Sequence, residues 1–231
     1  MKQQGFSLVE VAVVLVIIGL LLGGILKGQE MINSAKVRNL ADMSSGVSAA
    51  YFGFIDRFRR VPGDWDSAQA AQAIGVPITG GGNGNGRIDN DTAEQPFKEP
   101  NALWEQLAKA GFIEGAYTGE PVIPDTTSNQ TPLNAFNNIV VMGRTSDYVG
   151  LDFVPVRLNL VIGRGVPVDI AQELDIKMDD GVPETGVLRL AIDVGAGAVF
   201  GGIGESEPGC HASGVYSISA GAQDCNPVFL Y

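Results

Sequence analysis

An apolar run at the N-terminus constrains the fold of this chain more than any other feature. Residues 6–26 contain a single charged side chain, Glu10, and Lys27 begins the polar sequence that follows. A helix rises about 1.5 Å per residue, so a run of this length spans about 30 Å, the hydrocarbon thickness of a bilayer. We therefore predict a membrane-spanning helix over residues 6–26.

A secretory signal peptide is the first alternative, because it also places a positive charge, here Lys2, before an apolar run. Its apolar core is typically about 7–15 residues long and is followed by a cleavage site of small residues. The run in this chain is longer and contains a carboxylate, and residues 23–27 (Gly-Gly-Ile-Leu-Lys) offer no such site. We favour a retained helix.

The residues at the start of the run form a specific motif. A short basic leader, residues 1–5, ends in Gly5, and Phe6 and Ser-Leu-Val-Glu follow before the unbroken apolar helix. This order resembles the leader and N-terminal helix of type IV pilins and of the pseudopilins of type II secretion. The resemblance implies that prepilin peptidase cuts between Gly5 and Phe6 and methylates the new amine of Phe6. It also implies self-association into a filament through inner-membrane assembly machinery.

Glu10 is the polar exception within the apolar run. A carboxylate at the centre of a membrane helix costs about 2.5–3.5 kcal/mol on insertion scales, and less near an end, so it requires a partner. We interpret Glu10 as an assembly residue that pairs with the Phe6 amine of a neighbouring subunit and sets the register of a helical bundle. The alternative is that Glu10 occupies the first helical turn, where negative charge suits the helix dipole.

The charge balance of the chain argues against nucleic acid as a partner. The chain has 231 residues, of which 15 are Lys or Arg and 26 are Asp or Glu, so its formal net charge is −11. Nucleic-acid binding needs a basic surface, and we expect none. The length accommodates one anchor and one domain of ordinary size.

The two cysteines indicate the compartment. Cys210 and Cys225 form an even pair near the C-terminus, which in an exported domain predicts a disulfide that closes the C-terminal loop. We therefore expect a single pass through the bacterial inner membrane with an extracytoplasmic C-terminal domain, and a periplasmic or extracellular filament after assembly. The positive-inside rule does not favour this orientation, since Lys27, Lys36 and Arg38 follow the apolar run.

The N-terminal helix is predicted to continue beyond the membrane. Apolar residues recur at spacings of three and four over residues 27–60, which predicts an amphipathic continuation as far as Phe58, and Pro62 and Gly63 stop it. Four glycines lie near the join of the two halves, so this segment either unwinds during assembly or allows close helix packing. They are Gly19, Gly23, Gly24 and Gly28.

Residues 61–137 are predicted to form a loop-rich helical insert. Asp66 or Ser67 caps a short helix that runs through Ile74, and Asn101 caps a second helix that Gly111 stops. Between them lies a glycine-rich loop that partly matches the EF-hand calcium pattern and departs from it at Gly81 and Thr92. Its candidate metal ligands are Asn83, Asn85, Asp89 and Asp91. We favour a glycine-rich turn capped by Asn and Asp, with calcium as the alternative.

Residues 138–231 carry a different pattern, short β-rich runs bounded by glycine, which predicts an antiparallel sheet with a C-terminal disulfide loop. The runs are Ile139–Met142, Arg157–Ile162, Val187–Val194 and Val215–Ser219. A capping-box-like sequence that begins at Asp169 predicts a helix between the second and third runs. For the acids at 175, 179 and 180, we favour a role in the helix end over a cation site. The sequence 174–186 resembles a motif in large, uncharacterised prepilin-like proteins. The expected fold class is α+β and pilin-like, a long N-terminal helix packed on an antiparallel sheet.

The sequence contains no recognisable catalytic group. Its only histidine, His211, adjoins Cys210, which has no free thiolate when it is bridged. No phosphate-binding loop or nucleophile elbow occurs. We expect no enzyme and interpret His211 as an exposed loop residue.

The expected function is a structural subunit of a type IV pilus-like filament. The alternatives are a pseudopilin of a type II secretion system, or a membrane-anchored extracytoplasmic module that binds calcium or another ligand.

Overall fold

A single long helix organises the molecule. The computed structural model describes residues 8–89, 97–151, 153–193 and 204–231. Helix α1 runs from Leu8 to Phe58 over 51 residues. Arg59 adopts the left-handed conformation (φ 54°), and the helix ends there. The predicted continuous helix to Phe58 is confirmed, whereas its predicted first residue, Phe6, lies outside the described residues.

The two halves of α1 have different surroundings. Every residue from 8 to 26 is exposed. Buried residues begin at Val37 and recur at intervals of three and four, so they form one stripe along the helix. The stripe consists of Val37, Leu40, Ser44, Val47, Ala50, Tyr51 and Phe54. The C-terminal half of α1 therefore packs on the domain, and the N-terminal half projects from it.

A four-stranded antiparallel sheet forms the other layer of the domain. Its strands are β1 (Val141–Thr145), β2 (Arg157–Val161), β3 (Leu188–Leu190) and β6 (Pro227–Leu230), in the spatial order β1-β2-β6-β3. All three pairings are antiparallel. A separate two-stranded ribbon joins β4 (His211–Ala212) and β5 (Val215–Tyr216). The α+β class with a long helix packed against an antiparallel sheet is confirmed.

Both faces of the sheet are covered, and successive side chains along its strands point to opposite faces. Met142, Leu160 and Phe229 lie on the face that shares a core with the buried stripe of α1. Val141, Val161 and Val228 lie on the opposite face, in a second core with Tyr148 and Phe97. Burial on two sides explains why every residue of β6 (Pro-Val-Phe-Leu) is apolar, whereas β1, β2 and β3 each include an arginine.

The sheet contains a central strand that the sequence did not predict, β6. It lies between β2 and β3 although it comes from the last residues of the chain. Proline cannot donate to a ladder and is tolerated as the first residue of a strand, which is the position of Pro227. The other runs also differ in extent: β1 begins at Val141, β3 is three residues long, and a 3₁₀ turn (Ile218–Ala220) follows β5.

Helix α4 (Val168–Met178) packs on α1 and begins differently from the prediction. Its N-cap is Pro167, and no side chain caps it, so the predicted capping box at Asp169 is wrong. Asp169 instead lies in the first turn, where its negative charge suits the helix dipole.

The insert contains the two predicted helices. Asp66 caps α2 (Ser67–Ile74) with hydrogen bonds from Ala68 N and Gln69 N to its carboxylate, as predicted. Helix α3 (Lys98–Lys109) begins three residues before the predicted cap, Asn101. Pro100 is tolerated in the first turn because no helical N–H bond is required there.

Asn101 is buried within α3, and its side chain forms hydrogen bonds with a neighbouring loop. Its Nδ2 donates to Glu120 O (2.7 Å) and Val122 O (2.8 Å). The prediction of Asn101 as a cap is therefore wrong, because this side chain bonds distant carbonyls instead of the helix terminus. Leu103, Trp104 and Leu107 are buried as predicted.

Polar side chains of α3 hold the glycine-rich loop against the domain. The buried carboxylate of Glu105 accepts hydrogen bonds from Thr79 N (3.0 Å), Gly80 N (2.7 Å) and Gly119 N (3.0 Å). Gln106, also buried, donates to Gly80 O (3.1 Å). A Cβ on Gly80 would lie 2.4 Å from Gly119 O, so only glycine allows this close approach. The loop is thus fixed through its backbone.

We expect Glu105→Gln to destabilise the domain, because it places an amide donor opposite backbone N–H groups. Loss of a hydrogen-bonded buried charge predicts a decrease of about 1.5–3 kcal/mol in the free energy of unfolding. Urea denaturation of the full-length protein in detergent micelles measures it. Glu114→Gln, at an exposed position, is the matched control, with an expected change within about 0.5 kcal/mol. Equal stabilities of the two variants would contradict the role of Glu105.

Candidate functional site

The apolar half of α1, residues 8–26, is the main candidate site. Its most exposed large side chains include Leu8 (86%) and Leu20 (73%), and no residue of its most apolar 18-residue window is buried. The helix is long and apolar enough to cross a membrane by length and composition. An apolar surface of this extent requires lipid or other protein to cover it.

Glu10 lies in the first turn of α1, surrounded by apolar residues of the same helix. It is exposed, like its neighbours Val9 and Val11. This position is compatible with both predicted roles, an assembly contact and compensation of the helix dipole, and both stay predictions. The predicted processing residues, Gly5 and Phe6, lie outside the described residues.

The four glycines of the N-terminal half do not interrupt α1. A Cβ on Gly19, Gly23, Gly24 or Gly28 would meet no atom within 4 Å. Glycine is therefore not required for packing within one subunit at these positions. The two hypotheses for these glycines, unwinding and close packing between helices, both concern the assembled state and stay predictions.

The glycine and asparagine loop holds three of the four predicted metal ligands. Asn83 Oδ1 accepts from Asn85 N (3.0 Å), and Asn85 Oδ1 accepts from Arg87 N (2.9 Å). Asn85 Nδ2 donates to Asp89 Oδ2 (3.0 Å). Asp91 lies outside the described residues. These contacts are those of a turn capped by Asn and Asp, and the calcium alternative stays a prediction.

Asp64, which no sequence motif marked as a site residue, organises this loop. Its carboxylate is buried and accepts from Gly84 N (2.7 Å), Asn85 N (3.1 Å) and Gly86 N (2.7 Å). Glu99 on α3 accepts from Asn83 N (3.1 Å) and Asp89 N (2.8 Å). A glycine-rich loop carries many backbone donors that need acceptors, and this requirement is the signal that could have identified the nearby acids from the sequence.

The acids at the end of α4 form a second candidate site. Single ligand oxygens of Asp175, Asp179 and Asp180 lie within 4.8 Å of one another. Asp179 accepts from Leu188 N (2.9 Å), and Asp180 accepts from Val182 N (2.9 Å) and Thr185 Oγ1 (2.6 Å). These bonds match the favoured role in a helix end and turn.

Asp175 is the buried member of this group. It accepts from Tyr216 Oη (2.8 Å) and Gly181 N (3.1 Å). Burial raises its pKa from 3.8 to about 6, while the Tyr216 hydrogen bond opposes the shift. Burial and the negative charge of Asp175 also raise the pKa of Tyr216, so its hydroxyl remains a donor. This bond ties the β4–β5 ribbon to α4.

The predicted disulfide joins Cys210 to Cys225, with the Cα atoms 5.7 Å apart. It connects the ribbon to the segment that enters β6. In the chain-entropy model, closing a loop of this length contributes about 3 kcal/mol. His211, next to Cys210, lies in β4 with 16% of its side chain exposed. The interpretation of His211 as an exposed loop residue is therefore wrong, because its ring packs between two other segments.

We expect Asp175→Asn to change how stability depends on pH. The pKa of Asp175 is raised in the folded state, so the folded protein binds this proton more tightly, and the contribution to stability is lost as pH rises from about 4 through 6. The free energy of unfolding of the variant, measured relative to that of wild type, should therefore be about 1–3 kcal/mol higher at pH 7 than at pH 4, since one pKa unit corresponds to about 1.4 kcal/mol.

Thermal and urea unfolding of both proteins across this range measure the difference. Asp169→Asn, at an exposed position on the same helix, should track wild type. A stability difference between Asp175→Asn and wild type that is constant with pH would rule out titration of Asp175 in this window.

Comparison with known proteins adds one finding. Residues 1–26 match the family model described as the prokaryotic N-terminal methylation motif. No curated protein and no solved structure matches the chain. The match covers residues 1–7 and the whole apolar half of α1, residues 8–26, which the domain leaves exposed. It supports a type IV pilin-like prepilin family.

Proposed function

We propose that this chain is a structural subunit of a type IV pilus-like filament. Prepilin peptidase cuts it between Gly5 and Phe6, and the mature protein assembles through the apolar half of α1. The observation that carries the proposal is the division of one helix into a half that the domain buries and a half that it leaves exposed. The methylation motif lies at the exposed end of the same helix.

The physics of assembly favours specific contacts over general hydrophobicity. An apolar helix that moves from lipid into a helical bundle gains little apolar burial, because both surroundings are apolar. Close packing must then supply affinity, and the four glycines leave room for it. In the bundle, the Phe6 amine of a neighbouring subunit is a charged partner for Glu10, as the family resemblance implies. An external assembly motor is implied by the family resemblance.

The mature N-terminus tests the processing step. We expect mass spectrometry of the native protein to find a chain that begins at N-methylated Phe6. Gly5→Glu should leave the leader attached, because a large charged residue replaces glycine at the cleavage site. Gly19→Ala is the control, since a Cβ there meets nothing, and it should be processed normally. A native chain that retains its leader would contradict the proposal and favour a permanent membrane anchor.

Substitution of Glu10 tests the assembly step. We expect Glu10→Leu to insert and to be cleaved but to be absent from sheared filament fractions, because the register contact is lost. Glu30→Gln, at an exposed acid on the same helix beyond the apolar run, should assemble normally. A role limited to the helix dipole is worth only about 0.3–1 kcal/mol. Normal assembly of Glu10→Leu would therefore reduce Glu10 to that role.

Electron microscopy of the same cells separates two kinds of filament. A long surface fibre that contains this chain is the outcome for a pilus subunit. A secretion defect in the Glu10→Leu strain, with no long fibre in wild type, is the outcome for a pseudopilin. Both outcomes require cleavage at Gly5, so the mass measurement is made first.

A further inference from the structure

A groove of about 370 Å³ lies between the domain-bound half of α1 and the segment that follows α3. Its walls are largely apolar and aromatic, and they include Met43, Val47, Phe112 and Tyr117. Pockets with such a lining bind groups that bring an apolar body and a few polar atoms. A long side chain with an apolar stem and a polar tip fits this description.

The two charged side chains that line the groove are both acids. Asp42 belongs to α1 and Glu114 to the facing segment, and both residues are exposed. Neither of them forms an ion pair with another of the described residues. Arg38, one turn before Asp42, lines a different hollow together with Lys27 and Glu30. The groove therefore suits a cation, and a guanidinium both pairs with carboxylates and stacks on aromatic rings.

Gly46, which also lines the groove, has no explanation within one subunit. A glycine inside a helix lowers its stability relative to alanine, and a Cβ at this position would meet no atom within 4 Å. Gly53, about two turns further along α1, is different, because a Cβ there would lie 3.0 Å from Phe112 Cε1. The missing side chain at Gly46 thus leaves the groove open to a group from outside the subunit.

Arg59, at the end of α1, is a second residue that contacts within the subunit do not explain. It adopts the left-handed conformation (φ 54°), which glycine favours at helix ends. Its ion-pair partner among the described residues is Asp56 at 3.4 Å, and the two side chains are 81% and 82% exposed. An exposed pair of this kind contributes little to stability. An unfavourable backbone conformation that presents a cation to solvent points to a contact with another molecule.

We propose that Arg59 of one copy of this chain inserts into the groove of a second copy, with its guanidinium between Asp42 and Glu114. The contact rests on the proposed filament function, since the exposed apolar half of the same helix brings copies together in parallel. It requires a displacement of about 25 Å along α1, the rise from position 42 to position 59 at about 1.5 Å per residue. Each copy donates one arginine and receives another, and a head-to-tail contact of this type extends into an open filament.

Cross-linking in assembled filaments tests the contact. Asn39→Cys in the groove is combined with Arg60→Cys beside Arg59, so that the contact itself stays intact. A short bifunctional maleimide is used, because it does not react with the Cys210–Cys225 disulfide. Asp169→Cys with Arg60→Cys is the control, since Asp169 is exposed on α4 and does not line the groove. The groove pair should give at least about tenfold more intermolecular product in sheared filaments, because a fixed neighbour has a high effective concentration.

Two substitutions separate the contact from folding. Arg59→Gly should raise the thermal stability of the full-length protein in detergent micelles, since glycine suits the left-handed conformation. Gly46→Leu should leave that stability at or above the wild-type value, because its side chain enters open space. Each should lower the amount of the chain in sheared filaments about tenfold, as expected for a lost or overfilled contact. The combined variant should lose no more than either alone, because both substitutions remove the same contact.

The possible failures are distinguishable. Filaments in which the groove pair cross-links no better than the control, or in which the losses of the two substitutions multiply, overturn the contact and leave the proposed function intact. Protection of Asn39→Cys from a monofunctional maleimide in filaments without that cross-link assigns the groove to a different occupant, and it also overturns the role of Arg59. Absence of the wild-type chain from every filament fraction contradicts the proposed function and the contact together.

Discussion

The structure depends on the continuity of α1 across two environments. One face of its C-terminal half is completed by the domain, with Leu40 and Phe54 fully buried, while its N-terminal half projects beyond the domain and is exposed from Leu8 onward. A helix that is apolar around its whole circumference is stable only when lipid or protein surrounds it. One continuous helix therefore joins the exposed apolar half to the domain.

The rest of the domain is built to hold that helix. The sheet presents Met142, Leu160 and Phe229 to the α1 core, and its second face is closed by a smaller core around Tyr148. Because β6 lies in the centre of the sheet, the last residues of the chain complete the surface on which α1 packs. Tyr231 extends this contact, since its ring lies 6.5 Å from that of Phe52 on α1. The first and last elements of the domain thus stabilise each other.

Local signals predicted the elements that local physics determines. The absence of proline and the three-four spacing predicted the length of α1, and Asp66 followed by an alanine-rich run predicted α2 with its cap. The motif from Gly5 to Glu10 was sufficient to indicate the apolar half of α1 as the main candidate site. Strand β6 was missed because four residues that begin with Pro227 carry no periodicity, and only pairing with two distant strands makes them a strand. The start of α3 was misplaced for a related reason, since Asn101 bonds carbonyls about twenty residues away instead of the helix terminus.

The acidic residues mark the limit of sequence reasoning about sites in this chain. Carboxylates beside a glycine-rich loop fit a cation site and an acceptor for backbone donors equally well, because both uses need the same residue types in the same order. The second use is observed at two buried acids. Asp64 and Glu105 are buried and each faces three N–H groups, so their negative charge is compensated by the backbone. Asp175 is compensated less completely, with one hydroxyl and one N–H, and burial raises its pKa. The number of donors that converge on a buried carboxylate therefore decides how completely the protein compensates the charge of that group.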